Sequence, residues 1–309
     1  MTDRLMLLDS ASLYFRAFYG VPSSVTAPDG SPVNAVRGFL DIIAKLVSTY
    51  EPTALVACWD DDWRPAWRVS LIPTYKAHRV AQARPGATDL EDVPDALTAQ
   101  VPLIRETLSL LQIPISGAAG FEADDVIGTL ATRATSPVDV ITGDRDLFQL
   151  VDDERAVRIV YTARGMSNLE VVTDQTILAK YGIHAAQYAD FATLRGDPSD
   201  GLPGVSGVGE KSAATLLQAH GTLEGVVAAA HAGDGMSART SARIIEAAPY
   251  LEVAPRVVRV AHDAPVDVAP VPLRALSDAD RAAAERLAED RGLTAAMTRA
   301  LDALAAAGR

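Results

Sequence analysis

The sequence predicts an α/β fold, with a mostly parallel central sheet flanked by helices, followed by a helical region. Three observations carry this. Short apolar runs at 5–8, 53–59 and 136–142 alternate with helix-spaced apolar residues, the pattern of a parallel sheet covered by helices. Each run is followed by an aspartate: Asp9, Asp60 and Asp144. Past Thr173 the strand pattern stops and helical spacing takes over. In open α/β sheets the functional crevice lies beyond the carboxyl ends of the strands, so three strand-end acids mark one place in the fold.

Taken in order, 5–8 is a buried first strand that delivers Asp9 at its edge. Residues 12–19 form a short aromatic helix, and 21–32, rich in Pro, Ser and Gly, form a loop. Val36, Phe39, Ile43, Leu46, Val47 and Tyr50 recur at helical spacing and predict an amphipathic helix. The second strand, 53–59, places Cys58 in the core and ends in Asp60, with Asp61 and Asp62 behind it. From 63 to 88 the chain carries Arg64, Arg68, Lys76, Arg79 and Arg84 and no acid. Weak periodicity, with Pro73 and Pro85 as breaks, predicts a mobile, partly helical excursion there; a solvated loop is the plainer alternative. Leu97, Val101, Ile104, Leu108 and Leu111 predict a core helix in spite of Pro102. The runs 157–161 and 169–172 flank Arg164 and Gly165 and predict a hairpin. Helices are expected at 174–181, 185–194, 237–248 with Pro249 as its stop, 279–287 and 295–307, and an edge strand at 256–260. The chain then divides into a core at 1–173, a helical region at 174–254, and a segment at 255–309 whose edge strand and helices pack back on the core.

The chemistry concentrates between Gly120 and Leu150. Glu122, Asp124 and Asp125 open a helix marked by Val126, Ile127 and Leu130, and Asp144 and Asp146 follow a strand. Carboxylates that close to apolar elements repel one another unless a cation sits among them, and Mg²⁺ or Mn²⁺ suits an all-oxygen set. Taken singly, each group has a plainer reading, since acids favour the first turn of a helix and Asp is common in turns. The recurrence of acids at other strand ends favours the metal. Asp144 and Asp146, at i and i+2 in extended chain, point to the same side and suit one shared ion.

Composition bounds the rest. The 309 residues are 49% hydrophobic and 22% charged, a soluble globular balance with room for two domains. No apolar run reaches the roughly 18 residues a membrane span needs, and the apolar run in MTDRLMLLDS is too short for a signal peptide. One cysteine excludes an internal disulfide, argues against a Cys-based zinc site and suits the cytoplasm. The net charge of −12 is unusual for a nucleic-acid protein. Nine of those negative charges are candidate ligands, however, and the basic residues gather at 63–88.

Further on, GDPSDGLPGVSGVGEKSA at 196–213 holds Asp197, Asp200 and the glycines Gly204, Gly207 and Gly209, before a helix reaching about His220. Gly209, Glu210, Lys211 and Ser212 do not complete a P-loop, which needs Gly-Lys-Ser/Thr. A glycine turn between helices exposes backbone N–H groups at a helix N-terminus, a seat for phosphate that needs no net positive charge. A plain helical hairpin in a core is the alternative.

The set LLDS, CWD, YKAHR, GFEADDVIG, TGDRDLFQL and GDPSDGLPGVSGVGEKSA, in this order, resembles the flap endonuclease family, and most of all the 5′-nuclease domain of bacterial DNA polymerase I in a stand-alone form. The likeness runs from residue 5 to about 220. It implies an α/β core with its site at the strand ends, a helical arch at about 63–93, and a helix–hairpin–helix that grips duplex DNA with a bound K⁺. It implies that Asp9, Asp60, Glu122 and Asp124 hold one Mg²⁺ or Mn²⁺. Asp125, Asp144, Asp146, Asp197 and Asp200 would serve a second and a third, partly through water. Lys76 and Arg79 match the basic pair at the base of the arch, with a catalytic role, and Tyr75 matches an aromatic on which a base could stack. Arg84, Gly204, Gly207, Gly209, Lys211 and Ser212 are the other expected DNA contacts. The implied activity is flap endonuclease and 5′-3′ exonuclease cleavage of DNA at 5′-flaps, nicks and gaps, leaving 5′-phosphate and 3′-hydroxyl, in replication and repair. A monomer free of the membrane is expected. The sequence departs from the family pattern at Gly201, where an asparagine is usual, and in the longer acidic segment at Asp61 and Asp62. Two alternatives remain: a DNA-junction binder without catalysis, against which the full acid set speaks, and a related metal-dependent ribonuclease, against which the hairpin speaks.

Overall fold

The computed structural model describes residues 3–84, 87–267 and 271–308. β1 (Leu5–Asp9) is buried along its whole length, and Asp9 at its end caps α1 (Ser10–Gly20) by accepting a hydrogen bond from the Ser12 amide at 3.1 Å. α2 (Asn34–Tyr50) turns its apolar stripe into the core, as its spacing predicts, and β2 (Ala54–Cys58) follows with Cys58 fully buried.

The 63–93 stretch is where expectation and structure part. Its described residues form no long helix but α3 (Ala66–Leu71), a single 3-10 turn at Ala77–Arg79, and a two-stranded antiparallel ribbon of β3 (Val80–Gln82) and β4 (Leu90–Glu91). Pro65 and Pro73 interrupt any longer helix. Nor is the stretch a solvated loop. Arg64, Arg68, Tyr75 and Lys76 are buried, because their polar atoms find carboxylate and carbonyl partners inside the protein.

The helix expected across 97–111 is two pieces, α4 (Asp95–Thr98) and α5 (Val101–Leu110), with Pro102 tolerated in the first turn of the second. β5 (Ile115–Ser116), α6 (Ala123–Arg133), β6 (Val138–Thr142), β7 (Val157–Tyr161) and β8 (Glu170–Val172) complete the main sheet, in the order β5-β2-β1-β6-β7-β8. Every pairing in it is parallel except β7 with β8, the predicted hairpin. Strands that are apolar nearly throughout suit a sheet covered on both faces. Leu7, Val56, Cys58 and Val140 pack on the side of α6, and Met6, Leu8, Leu55 and Ala57 on the side of α1 and α2, by simple alternation.

Past residue 173 come α7 (Asp174–Tyr181), α8 (Tyr188–Arg195), α9 (Glu210–His220), α10 (Leu223–Ala232), α11 (Ala238–Glu246) and α12 (Ala248–Val258). The edge strand expected at 256–260 is a correction: its first half ends α12, which runs through Pro255. The valines there read as strand, but Ala254, Val257 and Val258 meet Ile72, Tyr75, Ala189 and Ala192 in a small core, and burial overrides β propensity. Pro249 likewise opens α12 rather than marking the stop of α11, tolerated in the first turn. α13 (Asp278–Asp290) and α14 (Thr294–Ala307) close the chain, with Met297, Leu301 and Leu304 packed in one core with Phe39 and Ile43 of α2.

Candidate active site

Because parallel strands end on the same side, the topology alone brings Asp9, Asp60 and Asp144 to one cleft of about 360 Å³. Glu122 and Asp124 enter it from the start of α6, and Asp197 from the loop after α8. Asp146 and Asp200 border a smaller adjoining cavity that Glu122 and Asp124 also line.

Hydrogen bonds aim these carboxylates. Asp9 accepts from the Thr142 hydroxyl at 2.6 Å, and Asp60 from the Ala123 amide at 2.8 Å, an otherwise unpaired donor of the first turn of α6. Asp144 accepts from the Asp146 amide at 2.8 Å, and Asp197 from the Ser199 amide at 2.8 Å and the Arg195 guanidinium at 3.2 Å. One oxygen of Asp146 is buried with no hydrogen-bond partner among the described residues.

Burial and crowding shift the group. Burial pushes Asp9 up to about 7, with the Thr142 hydrogen bond opposing and Asp60 and Asp144 adding to the rise. Burial, then Asp9 and Asp144, raise Asp124 well above the ordinary carboxylate range. Burial, then Asp144 and Asp200, do the same to Asp146. Asp60 and Asp200 are raised too, by burial first, with Lys76 opposing in both. Acids so close cannot all ionise without a cation among them. Among the described residues no three acids or histidines stand close enough to grip an ion as arranged. The all-oxygen donor set and the unpartnered Asp146 oxygen nonetheless fit a hard divalent cation, held partly through water.

A carboxyl whose pKa rises on folding holds its proton more tightly folded than unfolded. Its contribution to stability is therefore lost as pH rises from the ordinary 3.8 through about 7, and does not change further above that. Metal-free protein should melt at a higher temperature at about pH 5.5 than at about pH 8. Melting curves in chelator test this; a midpoint that stays level or climbs over that interval contradicts the crowded-acid description.

Cations line the same cleft. The Lys76 ammonium pairs with Glu122 and lies 5.2 Å from the centre of the Tyr75 ring. Burial works to lower its pKa, but Glu122, then Tyr75 and Asp200, outweigh that and keep it charged. Lys76 also sits in the left-handed region at φ 48°, a strained backbone for a residue with a side chain. Arg79 donates to the Ser199 carbonyl at 2.8 Å and the Asp200 carboxylate at 3.0 Å.

Several expected residues stand elsewhere. Asp125 is fully buried and lines neither cavity: the two ends of the Arg68 guanidinium grip its two oxygens at 2.7 Å each, and the Glu122 and Ala261 amides donate to it as well. Tyr75 is 4% exposed, its ring inside a core and its hydroxyl donating to Glu122 at 2.7 Å, so it offers no face to a base. Arg84 is exposed and outside the cleft, and neither Asp61 nor Asp62 lines it. Gly204, at φ 66°, is required by packing, since a Cβ would meet the backbone of Arg195 and Gly196. Gly201 faces the Thr74 carbonyl in the same way. Gly207 and Gly209 are exposed, with open space before Gly209, and Lys211 and Ser212 are exposed in the first turn of α9.

Four residues that the sequence does not single out belong to this region: Arg68, Glu91, Arg145 and Arg195. Glu91 and Arg145 line the cleft, and Arg195 pairs with Asp197. The signal for Arg145 and Arg195 is adjacency, since each lies within two residues of a candidate ligand. Glu91 carries no local signal, because only the ribbon fold brings it back.

The chain matches two sequence families, the 5′-3′ exonuclease N-terminal resolvase-like domain over residues 4–182 and the 5′-3′ exonuclease C-terminal SAM fold over 183–281. It is 56% identical to a Streptomyces coelicolor protein named 5′-3′ exonuclease, over 97% of this chain and 100% of that one. It is 37% identical to DNA polymerase I of Mycobacterium bovis, over 98% of this chain and 32% of that one. Among solved structures it is similar to the bacteriophage T5 flap endonuclease in a pseudo-enzyme-product complex with DNA and metal ions, with a TM-score of 0.62 and 16% identity over 97% of this chain and 99% of that one.

Proposed function

The chain belongs to the 5′-3′ exonuclease family, and from that premise we propose that it is a structure-specific, metal-dependent 5′-nuclease. Its substrate is DNA with a 5′-flap, nick or gap; its products carry 5′-phosphate and 3′-hydroxyl ends. The observation that carries this is the cleft of strand-end acids flanked by Lys76 and Arg79.

Asp9, Asp60, Glu122 and Asp124 are the residues to hold one Mg²⁺ or Mn²⁺, and Asp144, Asp146, Asp197 and Asp200 a second, with a third ion through water. Such ions, when bound, make a bound water nucleophilic at neutral pH and stabilise the leaving oxygen. The chain supplies the rest. Lys76 and Arg79, which line the cleft, stabilise negative charge on the attacked phosphate. Gly207, Gly209, Lys211 and Ser212 offer amides, a hydroxyl and one charge to duplex phosphates at the start of α9, a place that a K⁺ would complement. Arg84 adds attraction without touching the reacting atoms.

In this reading the core at 1–173 cuts with Asp197 and Asp200 supplied by the helical region at 174–254, which also holds duplex, and the reaction runs in a monomer. Among the described residues no helix is long and apolar enough to cross a membrane, and the single, buried Cys58 suits the cytoplasm.

The test is a 5′-labelled flap, offered as DNA and as RNA, with Mg²⁺, Mn²⁺ or chelator. Cleavage of the DNA flap in either metal, suppressed by chelator, is expected. Preference for the RNA flap favours the ribonuclease alternative, and binding without cleavage favours the silent junction binder.

A further inference from the structure

We infer that Arg68 is a positioning residue for cleavage: with Asp125 as its counter-ion, it fixes the carboxylate of Glu122 and ties the segment carrying Lys76 to the first turn of α6. This rests on the nuclease reading above.

Arg68 lies on α3, 2% exposed, yet all five of its N–H donors have acceptors. Nη1 reaches Asp125 at 2.7 Å and Glu122 at 3.1 Å, Nη2 reaches Asp125 at 2.7 Å and the Arg259 carbonyl at 3.5 Å, and Nε donates to the Val257 carbonyl at 3.1 Å. The guanidinium also lies 4.5 Å from the centre of the Trp67 ring. One side chain thus joins three segments far apart in sequence: the 63–93 excursion, the start of α6 and the end of α12.

The consequence falls on Glu122. Arg68 and the Tyr75 hydroxyl both donate to its Oε1, and Lys76 pairs with its Oε2. The first two contacts fix one oxygen and leave the other to Lys76, which lines the cleft together with Glu122. Lys76 follows one residue after Tyr75, so the same contacts set where its ammonium lies. Asp125 supplies the negative charge that lets Arg68 stay buried without drawing Glu122 wholly to itself. A lysine at 68 would keep the charge but lose the planar fork that serves Asp125, Glu122 and two carbonyls together.

The experiment compares wild type, Arg68→Lys, Asp125→Asn and the double variant on a 5′-flap in single turnover, with enzyme saturating, alongside DNA affinity and a count of bound Mn²⁺. Each single variant is expected to lower the cleavage rate constant by about 10-fold or more, as outer-shell partners of ligands do. DNA affinity should hold within about 2-fold and the Mn²⁺ count should not change. The double variant should be no slower than the slower single, since both remove one contact set. A purely structural role would lower the melting temperature and the reaction amplitude but leave the rate constant of the folded fraction alone; that result overturns the proposal. A lower Mn²⁺ count in Asp125→Asn also overturns it, by making Asp125 a ligand. If Arg68→Lys does not fold, Asp125→Asn, which removes the counter-ion that holds the guanidinium, carries the test, and an unchanged rate constant in that folded variant is equally fatal. A wild type that leaves the flap intact sinks the nuclease reading itself, whereas a wild type that cuts no faster than folded Arg68→Lys sinks only this inference.

Discussion

Asp146→Asn is expected to lower flap cleavage on the order of 10³-fold while raising the melting temperature of the metal-free protein. The two effects share one cause. Asp146 keeps a buried oxygen without a partner, and burial together with Asp144 and Asp200 pushes its pKa well above the ordinary range. Near neutral pH, ionising such a group costs the folded state stability, and a neutral amide removes that cost. Cleavage loses a cation ligand through the same change. Rate measurements in Mg²⁺ beside melting curves in chelator test the pair. Wild-type cleavage by a folded Asp146→Asn protein would remove Asp146 from the site, and a lower metal-free midpoint would make the carboxylate a structural one.

Lys76→Ala should lower the single-turnover rate at saturating DNA by about 10²-fold, the loss usual for one well-placed donor to a developing negative charge. An exposed loop lysine would change stability by only about 0.5 kcal/mol and leave the chemical step alone. Lys76 is instead buried against Glu122 at the cleft wall. Arg84→Ala gives the contrast: its exposed guanidinium should alter only the DNA concentration needed. If Lys76→Ala cuts at the wild-type rate once DNA is fully bound, the lysine is a tether and not a catalytic group.

The strand-end acids were legible because an apolar run followed by an acid carries its own geometry: the run is a buried strand, and parallel strands end on one side. Asp125 was not legible for the converse reason. Neighbours on a helix turn about 100° apart, so Asp124 and Asp125 face different surroundings, and sequence alone does not say which of them meets the cleft. The partner that decides it, Arg68, lies 57 residues earlier in a stretch whose positive charge looks solvated. The valines at 257, 258 and 260 suggested a strand by composition, while the small core around Ile72 and Ala192 that makes α12 a helix is visible only in three dimensions. Tyr75 was misplaced likewise, because exposure does not follow from residue type.

Counting bound Mn²⁺ by electron paramagnetic resonance, in wild type and Asp146→Asn without DNA at about pH 8, tests the central claim most directly. The strand-end acids predict at least two saturable ions per wild-type chain and fewer in the variant. No saturable binding, or the same count in both proteins, would contradict the assignment of this cleft as the metal centre.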